Sequence, residues 1–175
     1  MSEPPIVRVL TADDAPAYRE VRLLALRSDP PAFITTAGEF AARSPEDVAA
    51  RLAPTPGSCT FGAFLNGELV GLLTLVREAH PALAHRANVF GVSVRAEARG
   101  QGCGDALMRA GLAHVRTWPD VTSLHLSVAE TQTAARRLYE RHGFRVWGTQ
   151  PDAVRVGGRV LASDWLWLGI GSEEG

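Results

Sequence analysis

Apolar and polar residues follow two different periods along the chain, and the N-terminal part has the helical one. Val21, Leu24 and Ala25 recur at helical spacing, which predicts an amphipathic helix that begins near Thr11. The helix should end at Asp29, because the residue before a proline disfavours helical backbone. The chain therefore opens with a helix that buries one face.

A second helix start stands at Ser44, whose side chain can cap free N–H groups and which is followed by a proline in the favoured first position. We expect this helix to reach about Leu52. The period then changes to that of strands. Residues 60–65 and 68–76 are apolar runs on either side of Asn66-Gly67, the dipeptide that a type I′ turn prefers, so they predict a β-hairpin.

Strands and helices alternate through the rest of the chain. The pattern predicts strands over 89–94, 124–128, 144–149 and 160–170, and helices over 102–115 and 133–142. In the first of these strands, Phe90, Val92 and Val94 should share one face. The strand–helix–strand unit between 89 and 128 should be parallel and right-handed, with antiparallel hairpins on either side. The pattern therefore predicts an α/β fold with a mixed sheet and helices on its faces.

Composition and charge argue against several classes of function, among them nucleic-acid binding and membrane binding. The 175 residues, 46% hydrophobic and 21% charged, fit a single domain over 1–175. A net charge of −1 offers no general attraction to nucleic acid or to a membrane. The N-terminus lacks the pattern of a signal peptide and no apolar run is long enough to span a bilayer, so we expect a cytoplasmic protein. Neither the two cysteines nor the five histidines show metal-ligand spacing, so we expect no metal site.

The segment Arg99-Gly100-Gln101-Gly102-Cys103-Gly104 joins a predicted strand to a predicted helix. Glycines let a ligand approach the backbone, and the free N–H groups of a first helical turn bind anions, so a phosphate or pyrophosphate ligand is indicated. A P-loop is excluded because no Gly-Lys-Ser/Thr follows. A dinucleotide fingerprint is excluded because Asp105 or Leu107 stands where its third glycine would be. A simple tight turn between strand and helix would use the same glycines and remains the alternative.

This segment resembles the Arg/Gln-x-x-Gly-x-Gly/Ala motif of the GNAT superfamily of N-acetyltransferases, and Val92, Val94 and Glu97 resemble the strand and turn before that motif. Downstream, Leu138-Tyr139-Glu140-Arg141-His142-Gly143-Phe144 resembles the Leu-Tyr-Glu-x-x-Gly-Phe segment of the family. The two segments have the order and separation of the family, and the resemblance extends over most of the chain. It implies a GNAT-type mixed, mostly antiparallel twisted sheet with a central parallel β-α-β unit and helices on both faces.

The resemblance also implies an acyl donor, acetyl-CoA, with its pyrophosphate on the glycine loop and its pantetheine arm beside residues 92–94. The cofactor-binding residues so implied are Val92, Ser93, Val94, Arg99, Gly100, Gln101, Gly102, Cys103, Gly104, Gln132 and Ala135. Gln132 departs from the family pattern, which often has asparagine there, and its side-chain contact with the arm is therefore in doubt. Ala135 keeps the small residue expected where the arm passes the helix.

The reaction implied is direct attack by a primary amine on the thioester in a ternary complex. Backbone N–H groups near 92–94 would stabilise the oxyanion, and Tyr139 matches the tyrosine that often protonates the coenzyme A sulfur. The alternative for Tyr139 is a packed tyrosine with a bonded hydroxyl. An alkyl amine costs about 4 kcal/mol to deprotonate near pH 7.4, yet no base is evident. Glu130 either faces the cleft or is a solvated loop carboxylate, and His125 and Ser127 share a strand face without an assigned role.

The acceptor is predicted to be a small-molecule or peptide amine, with no nucleic acid and no membrane as partner. In the family the acceptor is selected by the first helices, their loop and the last hairpin. Phe33 and Phe40 in that region either wall an acceptor pocket or fill the edge of the core, and Glu39 could attract a cationic amine. Trp165 and Trp167 in the last strand suit either the core or a homodimer contact. The alternative function is a non-catalytic acyl-CoA-binding sensor or scaffold module.

Overall fold

A computed structural model describes residues 3–171 of the chain. The strands are β1 (Ile6–Val9), β2 (Ser58–Leu65), β3 (Glu68–Arg77), β4 (Arg86–Val94), β5 (Ser123–Ala129), β6 (Arg145–Val156) and β7 (Arg159–Gly169). The helices are α1 (Ala15–Ser28), α2 (Ala37–Ala41), α3 (Pro45–Leu52), α4 (Cys103–Val115) and α5 (Thr133–Arg141). No helix within residues 3–171 has the length and apolar character needed to cross a membrane.

The strands form one sheet in the order β1-β2-β3-β4-β5-β7-β6. Every neighbouring pair is antiparallel except β4 and β5, which are parallel and are connected by α4. The predicted mixed, mostly antiparallel sheet with a central parallel unit is thus confirmed. The parallel pairing is short, because only Arg86–Asn88 pairs with Ser123–His125. The two strands separate beyond that point, and this separation positions the candidate site.

Two apolar clusters lie on opposite faces of the sheet. The larger one packs α4 and α5 against the sheet, with Leu107 and Val115 fully buried. The smaller one packs α1, α2 and α3 against the other face. Leu72 belongs to the smaller cluster and Leu73 to the larger, as expected for adjacent strand residues that point to opposite faces. The predicted helices on both faces are therefore present.

Local signals in the sequence correctly located one helix start and one hairpin turn. Ser44 caps α3 by accepting a hydrogen bond of 3.1 Å from the N–H of Asp47, and the helix ends at Leu52. Asn66 and Gly67 have φ values of 50° and 81°, the left-handed backbone that a type I′ turn requires at both positions. The predicted second helix and first hairpin are confirmed.

Two elements were not predicted. Strand β1 has only four residues and pairs with β2 at the edge of the sheet. A run of this length is too short for its alternation of apolar and polar residues to predict a strand. Helix α2 has five residues, and its signal was present in the sequence. Thr36 and Glu39 form a capping box in which the Glu39 carboxylate accepts a hydrogen bond of 2.8 Å from the N–H of Thr36.

The predicted common face of Phe90, Val92 and Val94 is wrong, because β4 contains a β-bulge. Thr74 of β3 pairs with Phe90 whereas Leu72 pairs with Ser93, so β4 has one extra residue in this interval. Gly91 supplies the unusual backbone with a φ of +59°. Val92 and Val94 therefore pack against the larger cluster, whereas the side chain of Phe90 is 52% exposed.

Candidate functional site

An open cleft of about 500 Å³ lies where β4 and β5 separate. It runs from the C-terminal end of α1, along the second half of β4, to the loop before α4 and the start of α5. The predicted residues that line it are Phe33, Val92, Ser93, Val94, Arg99, Gly100, Gly102, Cys103, Gly104, Gln132 and Ala135. Gln101, Glu130 and Tyr139 are predicted residues that do not line it. The fold therefore brings most of the predicted set to one place.

The glycine loop presents free backbone donors to this cleft. Gly100 and Gly102 have φ values of +76° and +82°, and a Cβ at either position would meet nothing within 4 Å. Glycine is therefore needed for the backbone conformation and not for packing. Within the described residues, no N–H group from Gly100 to Asp105 donates a backbone hydrogen bond, and the first to do so is that of Ala106, to the Gly102 carbonyl at 3.0 Å. The free N–H groups and the positive end of α4 together suit an anion.

Asp105 in the first turn of α4 carries a negative charge that is neutralised locally. Its carboxylate accepts hydrogen bonds of 2.8 Å from Nε2 of His142 and 3.2 Å from the Arg141 guanidinium. Burial opposes the charged form, but these hydrogen bonds outweigh it and hold the pKa of Asp105 below its usual value. Arg99 at the other side of the loop donates from Nε to the Val94 carbonyl at 3.4 Å. Arg99 lines the cleft and makes no salt bridge within residues 3–171, whereas the charges of Arg141 and Asp105 offset each other.

Gln132 joins the two walls of the cleft. Its side-chain nitrogen donates a hydrogen bond of 3.1 Å to the carboxylate of Asp29, which follows the last residue of α1. The sequence identified Asp29 only as the end of a helix, since nothing local indicates a partner 103 positions away. The amide nitrogen of Gln132 is thus engaged within the protein, while the residue still lines the cleft.

Tyr139 lies in α5 and is 7% exposed. Its ring packs edge-on against Phe144 with the ring centroids 6.1 Å apart. Burial raises the pKa of the Tyr139 phenol above its usual value, with no hydrogen bond contributing, so the hydroxyl stays protonated at neutral pH. Leu138 and Ala135 on the same helix line the cleft. Tyr139 therefore lies behind the cleft wall and holds its proton.

The two side chains considered as bases are engaged elsewhere. The exposed Glu130 accepts a hydrogen bond of 3.1 Å from the N–H of Ala162 and lies outside the cleft lining. His125 is 2.8 Å from the hydroxyl of Ser123, measured from Nε2, and burial lowers its pKa so that the neutral imidazole is favoured. Neither side chain is among the residues that line the cleft.

Arg22 is a residue of this region that the sequence did not single out. It lies on α1, with its guanidinium carbon 4.8 Å from the centroid of the Phe33 ring. A Cβ at Gly91, in the bulge of β4, would stand 3.1 Å from Nη1 of Arg22. An arginine in an amphipathic helix gives no local signal of such a position, because both neighbours come from other parts of the chain.

Comparisons of the sequence with known proteins point to one family. A sequence model of the acetyltransferase (GNAT) family matches residues 23–144, more than half of the chain. The L-amino acid N-acetyltransferase AaaT of Escherichia coli (strain K12) is 32% identical over 99 residues, which cover 57% of this chain and 60% of that protein. A mycothiol acetyltransferase of Salinispora tropica is 38% identical over 81 residues, which cover 46% of this chain and 26% of that protein. The matches thus span less than two thirds of the length of both relatives.

Solved structures share the fold. A GNAT-family acetyltransferase from Streptococcus pneumoniae superposes with a TM-score of 0.81 at 21% identity, covering 95% of this chain and 99% of that one. A phosphinothricin acetyltransferase of the same superfamily from Sinorhizobium meliloti, solved in complex with acetyl-CoA, gives a TM-score of 0.82 at 16% identity over 97% and 90% of the two chains. The matched sequence segment and the shared fold together show that the chain belongs to the GNAT family of acetyltransferases.

Proposed function

We propose that this protein transfers the acetyl group of acetyl-CoA to a primary amine of a small molecule or peptide, by direct attack in a ternary complex. The observation that carries the proposal is the run of free N–H groups from Gly100 to Asp105 at the mouth of the cleft. These donors and the positive end of α4 suit the pyrophosphate of the donor. Arg99 at the same mouth adds a positive charge that suits a phosphate ligand.

The separated strands offer a place for the pantetheine arm. Beyond Asn88 the backbone of β4 has no pairing with β5, so its edge can hydrogen-bond an extended ligand as it would a strand. The hydroxyl of Ser93 is buried and has no hydrogen-bond partner within residues 3–171, which favours a polar ligand group at this edge. Val92, Ser93 and Val94 are therefore proposed to hold the arm.

Two features support the chemical step. The bulge at Gly91 redirects the backbone just before Val92, where an N–H group is proposed to stabilise the oxyanion. Tyr139 is proposed as the general acid that gives its proton to the leaving sulfur, because it matches the tyrosine that often has this role in the family and its hydroxyl is protonated at neutral pH. Because Glu130 and His125 are engaged, we assign no side chain as the base. The L-amino acid acted on by the Escherichia coli relative supplies an amine of the proposed class.

The test is a calorimetric titration of acetyl-CoA into the parent protein and two variants. Gly102→Glu puts a carboxylate at the proposed pyrophosphate position. Gly67→Glu is the matched control, because Gly67 has a φ of +81° in open space, like Gly102, but lies in the β2–β3 turn. We expect saturable binding by the parent and by Gly67→Glu, and none by a folded Gly102→Glu. No binding by the parent, or equal binding by all three proteins, would contradict the proposed cofactor site.

The engaged state of Glu130 and His125 favours one second candidate, an acyl-CoA-binding sensor without catalysis. The two functions differ in a single readout. A transferase releases coenzyme A from acetyl-CoA when it meets a suitable amine, whereas a sensor binds tightly and releases none. A broad amine panel that yields no release despite binding would support the sensor and exclude the transferase.

A further inference from the structure

The Arg22 guanidinium occupies the junction between α1, the loop after it and the bulge of β4. One of its faces lies over the Phe33 ring, and Phe33 lines the cleft. Its Nη1 lies against the backbone of β4 at Gly91, where the lack of a side chain leaves room for it. Since Gly91 adjoins Val92, the guanidinium lies beside the segment proposed to hold the reacting thioester.

This guanidinium has no counter-ion in the part of the chain that the structure describes. Some arginines are paired, for example Arg8 with Asp14 at 2.8 Å and Arg136 with Asp164 at 2.6 Å. Arg22 makes no such pair and donates no hydrogen bond within residues 3–171. None of its side-chain nitrogens is completely buried, so the guanidinium is accessible to a ligand. A half-buried cation left accessible and unpaired is suited to an anion from outside the protein.

Burial lowers the pKa of Arg22 from its usual value, and Tyr18 and Arg43 are the titratable groups that also influence it. Asp29, the acidic residue of the cleft lining on the α1 side, accepts a hydrogen bond from Gln132. Glu39, which the sequence suggested could attract a cationic amine, instead caps α2 with bonds of 2.8 and 2.9 Å from Thr36. Within residues 3–171, Arg22 therefore keeps a positive charge with no carboxylate paired to it, which disfavours a cationic group of the acceptor at this position.

We propose that Arg22 binds the α-carboxylate of the acceptor, and that the acceptor is a free amino acid. The inference rests on the proposed transferase function and names its substrate class. A guanidinium pairs with a carboxylate through two parallel hydrogen bonds, which fix the orientation of the ligand. In an α-amino acid a single carbon separates the amine from the carboxylate carbon. Anchoring at Arg22, next to Gly91, therefore holds the amine near Val92 and the thioester.

The test compares the proteinogenic L-amino acids with their carboxamides as acceptors, at saturating acetyl-CoA. We expect the parent to prefer the free acids, although the carboxamide has the less basic amine and more of it is neutral at a given pH. In Arg22→Gln, KM for the free acid should rise by about 10- to 100-fold, as expected for the loss of a charged hydrogen-bonded pair, with kcat changed less. KM for the carboxamide should not change. Arg22→Lys, which keeps the charge but not the planar fork, should give an intermediate value.

Arg27→Gln is the matched control, because Arg27 is an exposed arginine on the same helix. Equal use of acids and carboxamides by the parent would overturn the proposal, and so would equal losses for both substrates in Arg22→Gln. If no amine is acetylated, the transferase proposal fails and the anion site is tested alone. L-amino acids are then titrated into protein saturated with coenzyme A. Binding that Arg22→Gln abolishes would support the site, and no binding by the parent would overturn it.

Discussion

At the scale of single residues, the cleft is distinguished by which polar groups are engaged and which are free. Gln132, Glu130 and Asp105 all have partners within the protein. The N–H groups from Gly100 to Asp105 and the Arg22 guanidinium do not, among the residues described. Unsatisfied polar groups are costly to bury, so free ones that cluster around a cleft indicate where ligands bind. In this protein they support the two proposed anion sites, one at the glycine loop and one at Arg22.

Removing the phenol of Tyr139 tests its proposed role as an acid. Tyr139→Phe should lower kcat by about 100-fold or more, in the range measured for loss of a general acid. The dissociation constant for acetyl-CoA should stay within about twofold, because the hydroxyl makes no hydrogen bond that contributes to its pKa and the ring packing is kept. Steady-state kinetics and calorimetry measure the two quantities. A variant with parental kcat would show that Tyr139 is a packing residue only.

At the scale of elements, one ion pair connects the edge strand β1 to the residue before the first helix. Arg8 of β1 donates two hydrogen bonds of 2.8 Å to the carboxylate of Asp14, which precedes α1. Asp14 also accepts a 2.8 Å bond from the N–H of Thr11. The Arg8 hydrogen bond is the largest cause that lowers the pKa of Asp14, from 3.8 to about 2. This cluster holds β1 against the start of α1.

The depressed pKa of Asp14 makes its contribution to stability pH-dependent. The contribution is fully present above the unfolded pKa of 3.8 and is lost as pH falls through about 2. Asp14→Asn should lower the free energy of unfolding at pH 7 by about 1 kcal/mol, since Arg8 is half exposed and the pair is screened by solvent. Urea unfolding at several pH values measures this, and the difference from the parent should shrink as pH falls from 3.8 towards about 2. The exposed neighbour Asp13, changed to Asn, is the control and should give a smaller effect. A difference that does not shrink over this range would contradict the linkage.

At the scale of the whole molecule, one sheet connects everything that builds the site. The α1–α3 side of the sheet supplies Arg22, Phe33 and Asp29, and the α4–α5 side supplies the glycine loop and Gln132. Leu72 and Leu73 of β3 connect the two apolar clusters through the sheet. We therefore predict a single domain that unfolds in one cooperative transition. The cleft lies where β4 and β5 are no longer hydrogen-bonded to each other.

Filling that cleft should stabilise the whole fold. Acetyl-CoA at 100 times its dissociation constant should raise the free energy of unfolding by about 2.7 kcal/mol, because only the folded state binds it. For a domain of this length the melting temperature should rise by about 5 to 10 °C in a single transition. Differential scanning calorimetry measures the shift. ATP at the same concentration should shift the melting temperature less, because it has no pantetheine arm, and an equal shift would indicate a general nucleotide site.

Several elements were predictable because their signals are local. The Asn66-Gly67 turn, the cap at Ser44 and the glycine loop each depend on backbone preferences within a few residues. The capping box of α2, at Thr36 and Glu39, is also a local signal, but a helix of five residues is too short to show a helical period. Strand β1 is stable only through its pairing with β2, so its four residues carry little information alone.

The sequence by itself determined the order of most strands and helices, because this follows from periodicity. It also determined the glycine loop between β4 and α4, and its two motifs indicated the family by resemblance. Only the tertiary structure decided that β4 bulges at Gly91 and separates from β5 beyond Asn88, since both depend on pairing with distant strands. It also decided that Gln132 meets Asp29 from 103 positions away. The unpaired state of Arg22 was decided in the same way, because which charges surround a side chain is set by how the chain folds back on itself.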